Sequence, residues 1–126
     1  MRALARVPPA HGIAAMQSIN VVAVTPVFMI ALFGTAVACV GLAANAVIEW
    51  RGVASAYMLA GCVSYLVGTI VVTIIFNVPL NNQLTAVDAT GADAIWFWSR
   101  YVRRWTAWNH VRALSSFVAA ALLLLG

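Results

Sequence analysis

Two stretches without a charged residue, Val21 to Ile48 and Val53 to Phe76, are separated only by Glu49, Trp50, Arg51 and Gly52. About 20 apolar residues suffice to cross the ~30 Å hydrocarbon layer of a bilayer as a helix. Backbone polar groups there must be paired within the segment, so each run reads as a membrane helix. So short a turn makes the two helices antiparallel neighbours. A third uncharged run, Ala113 to Leu125, ends the chain, and the last crossing reads as roughly Thr106 to Leu125. Only 8% of the 126 residues are charged, against roughly 25% in soluble domains. The expectation is an all-α polytopic membrane bundle. It has three transmembrane helices (roughly 21–48, 53–76 and 106–125), an aromatic-rich interfacial helix leading into the last, and one integral membrane domain over 1–126.

The detail within these runs predicts how they meet. Gly34, Ala38 and Gly41 form a small-residue seam on the first crossing, and Gly61 and Gly68 repeat the spacing on the second. Seams of this kind let helices approach closely, so these two are expected to face each other or to serve as oligomer contacts. Cys39 and Cys62 stand equally far from the turn and should share a depth, as small buried hydrophobes. Asn77 to Asn82 reads NVPLNN. Pro79 biases Val78 away from helix, so the segment is expected to cap and end the second crossing. The alternative is a polar lid over a pocket between the helices. Thr85 to Asp93 is the one soluble loop, with Asp88 and Asp93 available as helix caps. In the lead, Gln17 and Asn20 divide evenly between interfacial solvation and a site role.

Charge fixes an orientation and excludes some partners. The net charge of +4 comes from seven arginines without lysine. These form no groove-sized patch, so nucleic acid is not expected; membrane lipids are the expected partners. Counting three crossings puts Arg2 and Arg6 on the same side as Arg100, Arg103 and Arg104. By the positive-inside rule that side, with the N-terminus and the 77–104 loop, is cytoplasmic, and the membrane is the plasma (inner) membrane. His11, His110 and the three acids show no metal-ligand spacing, and neither metal nor cofactor is expected.

The stretch Trp96 to Arg112, WFWSRYVRRWTAWNHVR, concentrates the chemistry: four of five tryptophans and four of seven arginines. At 100° per residue, Trp98, Tyr101, Trp105, Trp108, Asn109 and Arg112 share one helix face, while Arg103 and His110 point the opposite way. Interfacial anchoring accounts for Trp96, Trp98, Arg103 and Arg104. Arg112 fits that account less well, because an arginine inside a span costs ~2.5–3.5 kcal/mol on insertion scales. No acid lies within any span. The asparagines of NVPLNN, tryptophan faces or a bound anionic aromatic are its available partners.

NVPLNN, followed some twenty residues on by WSRYVRRWTAWNHVRAL, resembles the anthrone oxygenase-like family of small integral membrane proteins. The GIAAMQSIN segment is similar to that family's bacterial branch, a domain of unknown function. The resemblance spans most of the chain. It implies oxidation of anthrone-like aromatics to quinones by molecular oxygen, without metal or flavin, hence a possible oxidoreductase. It implies His110 as base and Arg112 as the cation steadying the substrate anion. Trp105 and Trp108 would be aromatic walls, and Asn77, Asn81 and Asn109 hydrogen-bonding groups for substrate. Family members typically carry four membrane helices, the first preceding a segment like MRALARVPPAHG, so that first helix is expected to be missing here.

Two other classes of function stay open on the sequence. One is a non-catalytic membrane binder of a lipid-soluble aromatic or an anionic lipid, which needs an enclosed cavity beside Arg112. The other is a structural subunit of a membrane assembly, which needs none. The enzyme reading requires His110 to reach the pocket.

Overall fold

A computed structural model describes residue 1 and residues 3–126, and Arg2, half of the N-terminal arginine pair, lies outside the described residues. The protein is all-helical, 84% helix, and no strand occurs among the described residues. After a short 3-10 turn at Leu4–Arg6 come α1 (Pro9–Val22), α2 (Pro26–Ile48) and α3 (Val53–Tyr65). Two π-helical segments (Leu66–Val71 and Thr73–Asn77), α4 (Val78–Thr85) and α5 (Ala94–Leu125) follow. Because α3, the π-segments and α4 are continuous, three helices are long and apolar enough to cross a membrane: Pro26–Ile48, Val53–Thr85 and Ala94–Leu125.

The first crossing starts at Pro26, later than the apolar run. Thr25 is extended and its hydroxyl accepts the Phe28 N–H at 3.3 Å. Pro26, with no N–H to lose, occupies the first helical turn. Val21 and Val22 therefore close α1, and Ala23–Thr25 form a break between two helices. At the other end Gly52 adopts φ +70, a conformation that favours glycine. The Ser55 hydroxyl accepts the Arg51 N–H at 2.9 Å, and Glu49 pairs with Arg51 at 2.6 Å.

The second crossing does not stop at Phe76. The expected cap and turn over Asn77–Asn82 is helix instead, and Val78 sits in the α region at φ −62, ψ −48. The reason lies in the preceding turn. Val78 N–H bonds Thr73 O, a π-type i→i−5 link, so the backbone is wider where the Pro79 ring enters. Proline then falls in the first turn of α4, where helices tolerate it. Of the 77–104 connection, Asn77–Thr85 is therefore helix where a cap and turn were expected, Ala86–Asp93 is the loop, and the interfacial helix expected after it begins at Ala94.

Helix α3 is central, with α2 against one side and α5 against the other. The glycine seams do not face each other. A Cβ at Gly61 would meet Leu123 and Ala119 of α5, and one at Gly68 would collide with Ser115, whereas Gly34 and Gly41 have nothing within 4 Å. A short turn fixes which helices are neighbours, but not how each is rotated about its axis. Ser64 donates to Ser115 O at 3.0 Å and Thr69 shares a hydrogen bond with Ser116 at 2.7 Å, which pins that rotation. Tyr65 donates to Leu32 O at 3.0 Å and ties α2 in. Cys39 and Cys62 are buried, free and side by side, at one depth as expected.

At the arginine-rich end, α1, α4 and α5 build a small core from Ile13, Met16, Leu80, Leu84, Trp98 and Tyr101. Gln17 closes it, donating to Leu84 O at 2.9 Å, which also accepts the Val87 N–H, and to Val87 O at 3.1 Å just beyond α4. Neither acid caps α5. Asp93 makes no side-chain cap bond. Asp88 accepts the Thr90 N–H and hydroxyl, and those bonds hold its carboxyl below its ordinary pKa. A Cβ on Gly12 would lie 2.5 Å from Trp98 Cζ2, so α1 rests directly on the indole. Gly12→Ala is expected to lower stability by about 1–3 kcal/mol through overpacking. Gly34→Ala, facing open space, should stay within about 0.5 kcal/mol. Thermal unfolding in detergent followed by tryptophan fluorescence measures both.

Candidate functional site

The α5 stripe forms as its periodicity predicts. Trp98 and Tyr101 are buried, Trp105, Trp108, Asn109 and Arg112 are half-buried, and Arg103 and His110 are exposed on the far side. One turn apart, Tyr101 and Trp105 reach the same acceptor: Tyr101 Oη and Trp105 Nε1 each donate to Asn81 Oδ1 at 3.0 Å. Trp108 stacks on Phe76 with ring centroids 3.6 Å apart and planes 9° from parallel. These contacts lock α5 to the second crossing at the second π-segment, through Phe76, and one turn beyond it, through Asn81.

Beside this lock lies a cavity of about 510 Å³, lined from α1, the Ala23–Thr25 break, α2, the second π-segment, α4 and α5. Its apolar wall is Met16, Ile19, Phe28, Met29, Leu32 and the Trp105 face, and its polar groups are Asn20, Thr73, Asn77, Asn81, Asn109 and Arg112. A volume in the range 300–1,000 Å³, with an apolar lining and a few convergent polar groups, is that of a small-molecule site.

The polar groups are short of protein partners. Asn77 is 2% exposed, yet neither its Nδ2 nor its Oδ1 has a hydrogen bond. Asn20 Nδ2 and Arg112 Nε are buried and unpaired as well. Arg112 lies thirteen residues, about 20 Å of helix, before the end of α5. The one ion pair among the described residues, Glu49–Arg51, is exposed at the opposite end of the bundle. Thr73 spends its hydroxyl proton on Thr69 O at 2.5 Å, leaving lone pairs as its contribution. Among the described residues no three His, Cys, Asp or Glu side chains gather into a metal-binding group.

Of the residues singled out in the sequence, Asn77, Asn81, Trp105, Asn109 and Arg112 converge on this cavity. Two do not. His110 is exposed and outside it, and Trp108 stands behind it against Phe76. Asn20 resolves in favour of the cavity and Gln17 in favour of capping α4. Thr73 and Tyr101 were not among the candidate residues. Both carried a signal: Thr73 stands four before Asn77, and Tyr101 lies on the stripe four before Trp105.

The fold defines a membrane-type helical bundle with an amide- and arginine-lined cavity near one end. A family model described as anthrone oxygenase matches residues 26–122, and the chain belongs to the anthrone oxygenase family. Neither a curated protein nor a solved structure matches it. The matched span holds Asn77, Asn81, Trp105, Asn109 and Arg112, while Asn20 on α1 lies before it.

Leaving two buried amide atoms unpaired is costly, so Asn77 is expected to be maintained for binding at the expense of stability. Asn77→Leu should raise the stability of the ligand-free protein by about 1–3 kcal/mol. Its thermal midpoint in detergent, read beside wild type without added ligand, checks this; a lower midpoint would mean the amide is structural.

Proposed function

We propose that the protein oxidises anthrone-like aromatics to quinones with molecular oxygen, in the cavity beside Arg112. The observation that carries this is an arginine with no carboxylate partner among the described residues, set next to the unpaired Asn77 and the Trp105 face. Family membership supplies the reaction class. The overall change is CH2 + O2 → C=O + H2O at one ring carbon. Loss of a proton from that carbon gives an electron-rich anion whose negative charge rests largely on the ketone oxygen. The carbanion passes electrons to oxygen and forms a C–O bond to a peroxide anion, which takes a proton back from water as the hydroperoxide. Loss of water then leaves the new carbonyl.

In this reading Arg112 and the asparagines hold the developing oxyanion, which is electrostatic stabilisation by fixed donors. Trp105, Phe28 and the methionines cover the ring faces. His110, whose reach into the pocket the sequence alone requires of an enzyme, lies on the opposite face of α5; that counts against the enzyme reading, which here proceeds without it. The proton leaves to water, since among the described residues no carboxylate or imidazole lines the cavity. The arginine-bearing end, with the N-terminal segment and the α4–α5 connection, faces the cytoplasm of the plasma membrane by the positive-inside rule.

The lack of an acid or histidine on the cavity wall favours a second reading: a binder of lipid-soluble aromatics that does no chemistry. Oxygen consumption with anthrone, in membranes containing the protein and with buffer and base controls, separates the two. Arg112→Ala is expected to lower the rate by roughly 10²–10³, the usual cost of an oxyanion donor. His110→Ala should keep the wild-type rate. Uptake no faster than in control membranes, together with quenching of tryptophan fluorescence by the anthrone, would leave the binder.

A further inference from the structure

Two polar groups at the cavity, Asn81 and Arg112, can only donate toward it, whereas Thr73, its hydroxyl proton spent on Thr69 O, offers an acceptor. An indole N–H can only donate, so the atom of Asn81 that meets Trp105 Nε1 must be its carbonyl oxygen. That oxygen also takes the Tyr101 hydroxyl. With its acceptor engaged twice on the α5 side, Asn81 has only its NH2 to offer the cavity it lines. Arg112 has no acceptor at all. Asn20 also lines the cavity, with an amide nitrogen that is buried and without a hydrogen-bond partner. Asn77, 98% buried by its 2% exposure, is unpartnered at both side-chain atoms and lines the same space.

We infer that this cavity recognises its aromatic ligand as the oxyanion, a phenolate or enolate, with Asn81 as a second binding donor beside Arg112. Tyr101 and Trp105 act as positioning residues that lock the Asn81 amide with its NH2 toward the ligand. The inference deepens the oxygenase reading but does not require turnover, since a binder built this way has the same preference. It also assigns Tyr101 a role: its hydroxyl touches no ligand, but it sets which end of Asn81 the ligand meets.

The probe is alizarin, a hydroxyanthraquinone whose visible absorption changes when its phenolic proton is lost. Purified protein in neutral detergent is titrated with pH in the presence of the dye, beside empty micelles. The charged or titratable side chains near the cavity are Arg112, Tyr101 and Tyr65, the two phenols donating to Asn81 Oδ1 and Leu32 O. The α-amino group of Met1, which also borders the cavity, is removed as a variable by an N-terminal tag.

Bound dye is expected to ionise at least one pH unit lower than dye in empty micelles, a tenfold or greater preference for the anion. Asn81→Asp keeps an oxygen for both Tyr101 and Trp105 but turns a second oxygen, not an NH2, to the cavity. It should abolish the shift or reverse it. Arg112→Gln should reduce it, and Tyr101→Phe should reduce it less, while quenching of tryptophan fluorescence still reports binding.

A wild-type midpoint equal to that of empty micelles, or an Asn81→Asp midpoint equal to wild type, would overturn the inference. The shift present without oxygen uptake on anthrone would sink only the oxygenase reading. Uptake without the shift would sink only this one.

Discussion

Inside a bilayer a polypeptide has no water to satisfy its amides, so the second crossing must keep its hydrogen-bond ladder intact through a proline. The continuous helix from Val53 to Thr85 meets that demand with two π-segments placed before Pro79. Each wider turn holds one residue more than an α-turn and rotates everything after it. Thr73 and Asn77, four apart, come onto the cavity side, and Asn81 follows one turn later. Had the chain turned out of the membrane at Asn77, these amides would meet headgroups and water. Continuity of the backbone is thus what brings three polar side chains to Trp105, Asn109 and Arg112.

Much of this was legible in the sequence, and the failures share a cause. The three crossings follow from uncharged runs, and the α5 face follows from a 100° repeat; both are properties of a single helix. Periodicity alone turns His110 away from Trp105 and Arg112, and that is where it lies. The end of the second crossing was not legible, because the rule that a residue before proline leaves the α region assumes an ordinary preceding turn. The glycine seams were misplaced for a related reason. Their spacing says a partner approaches closely but not which one, and α5 rather than α2 packs against Gly61 and Gly68. What a sequence pattern fixes is the face of one element; rotation of elements against each other is set by bonds such as Thr69–Ser116.

Arg112 and the asparagines also explain one another. Amides are large dipoles without net charge, so they can surround a guanidinium without the cost of desolvating a carboxylate beside it. An Asp or Glu in their place would neutralise the arginine and leave little for an anionic ligand. The pairing of Glu49 with Arg51 at the exposed turn shows the contrasting arrangement, where both charges stay in water and the pair is worth little. Half-buried positive charge with amide dipoles around it, and no acid paired with it among the described residues, is suited to a guest that brings its own negative charge.

That arrangement bears on how little chemistry such a site has to perform. A carbon acid that reacts with oxygen once ionised is limited by the fraction present as the anion. Charge-assisted hydrogen bonds are worth roughly 1.5–3 kcal/mol each, and each 1.4 kcal/mol is a factor of ten in that fraction. Two such donors, Arg112 and Asn81, would raise the bound anion by about 10²–10⁴ before the desolvation cost of bringing it in. The apolar wall offsets part of that cost by burying the rings, which are poorly solvated outside. On these magnitudes a general base adds speed but is not indispensable, so an exposed His110 and an oxygen-consuming reaction in the same molecule are physically compatible.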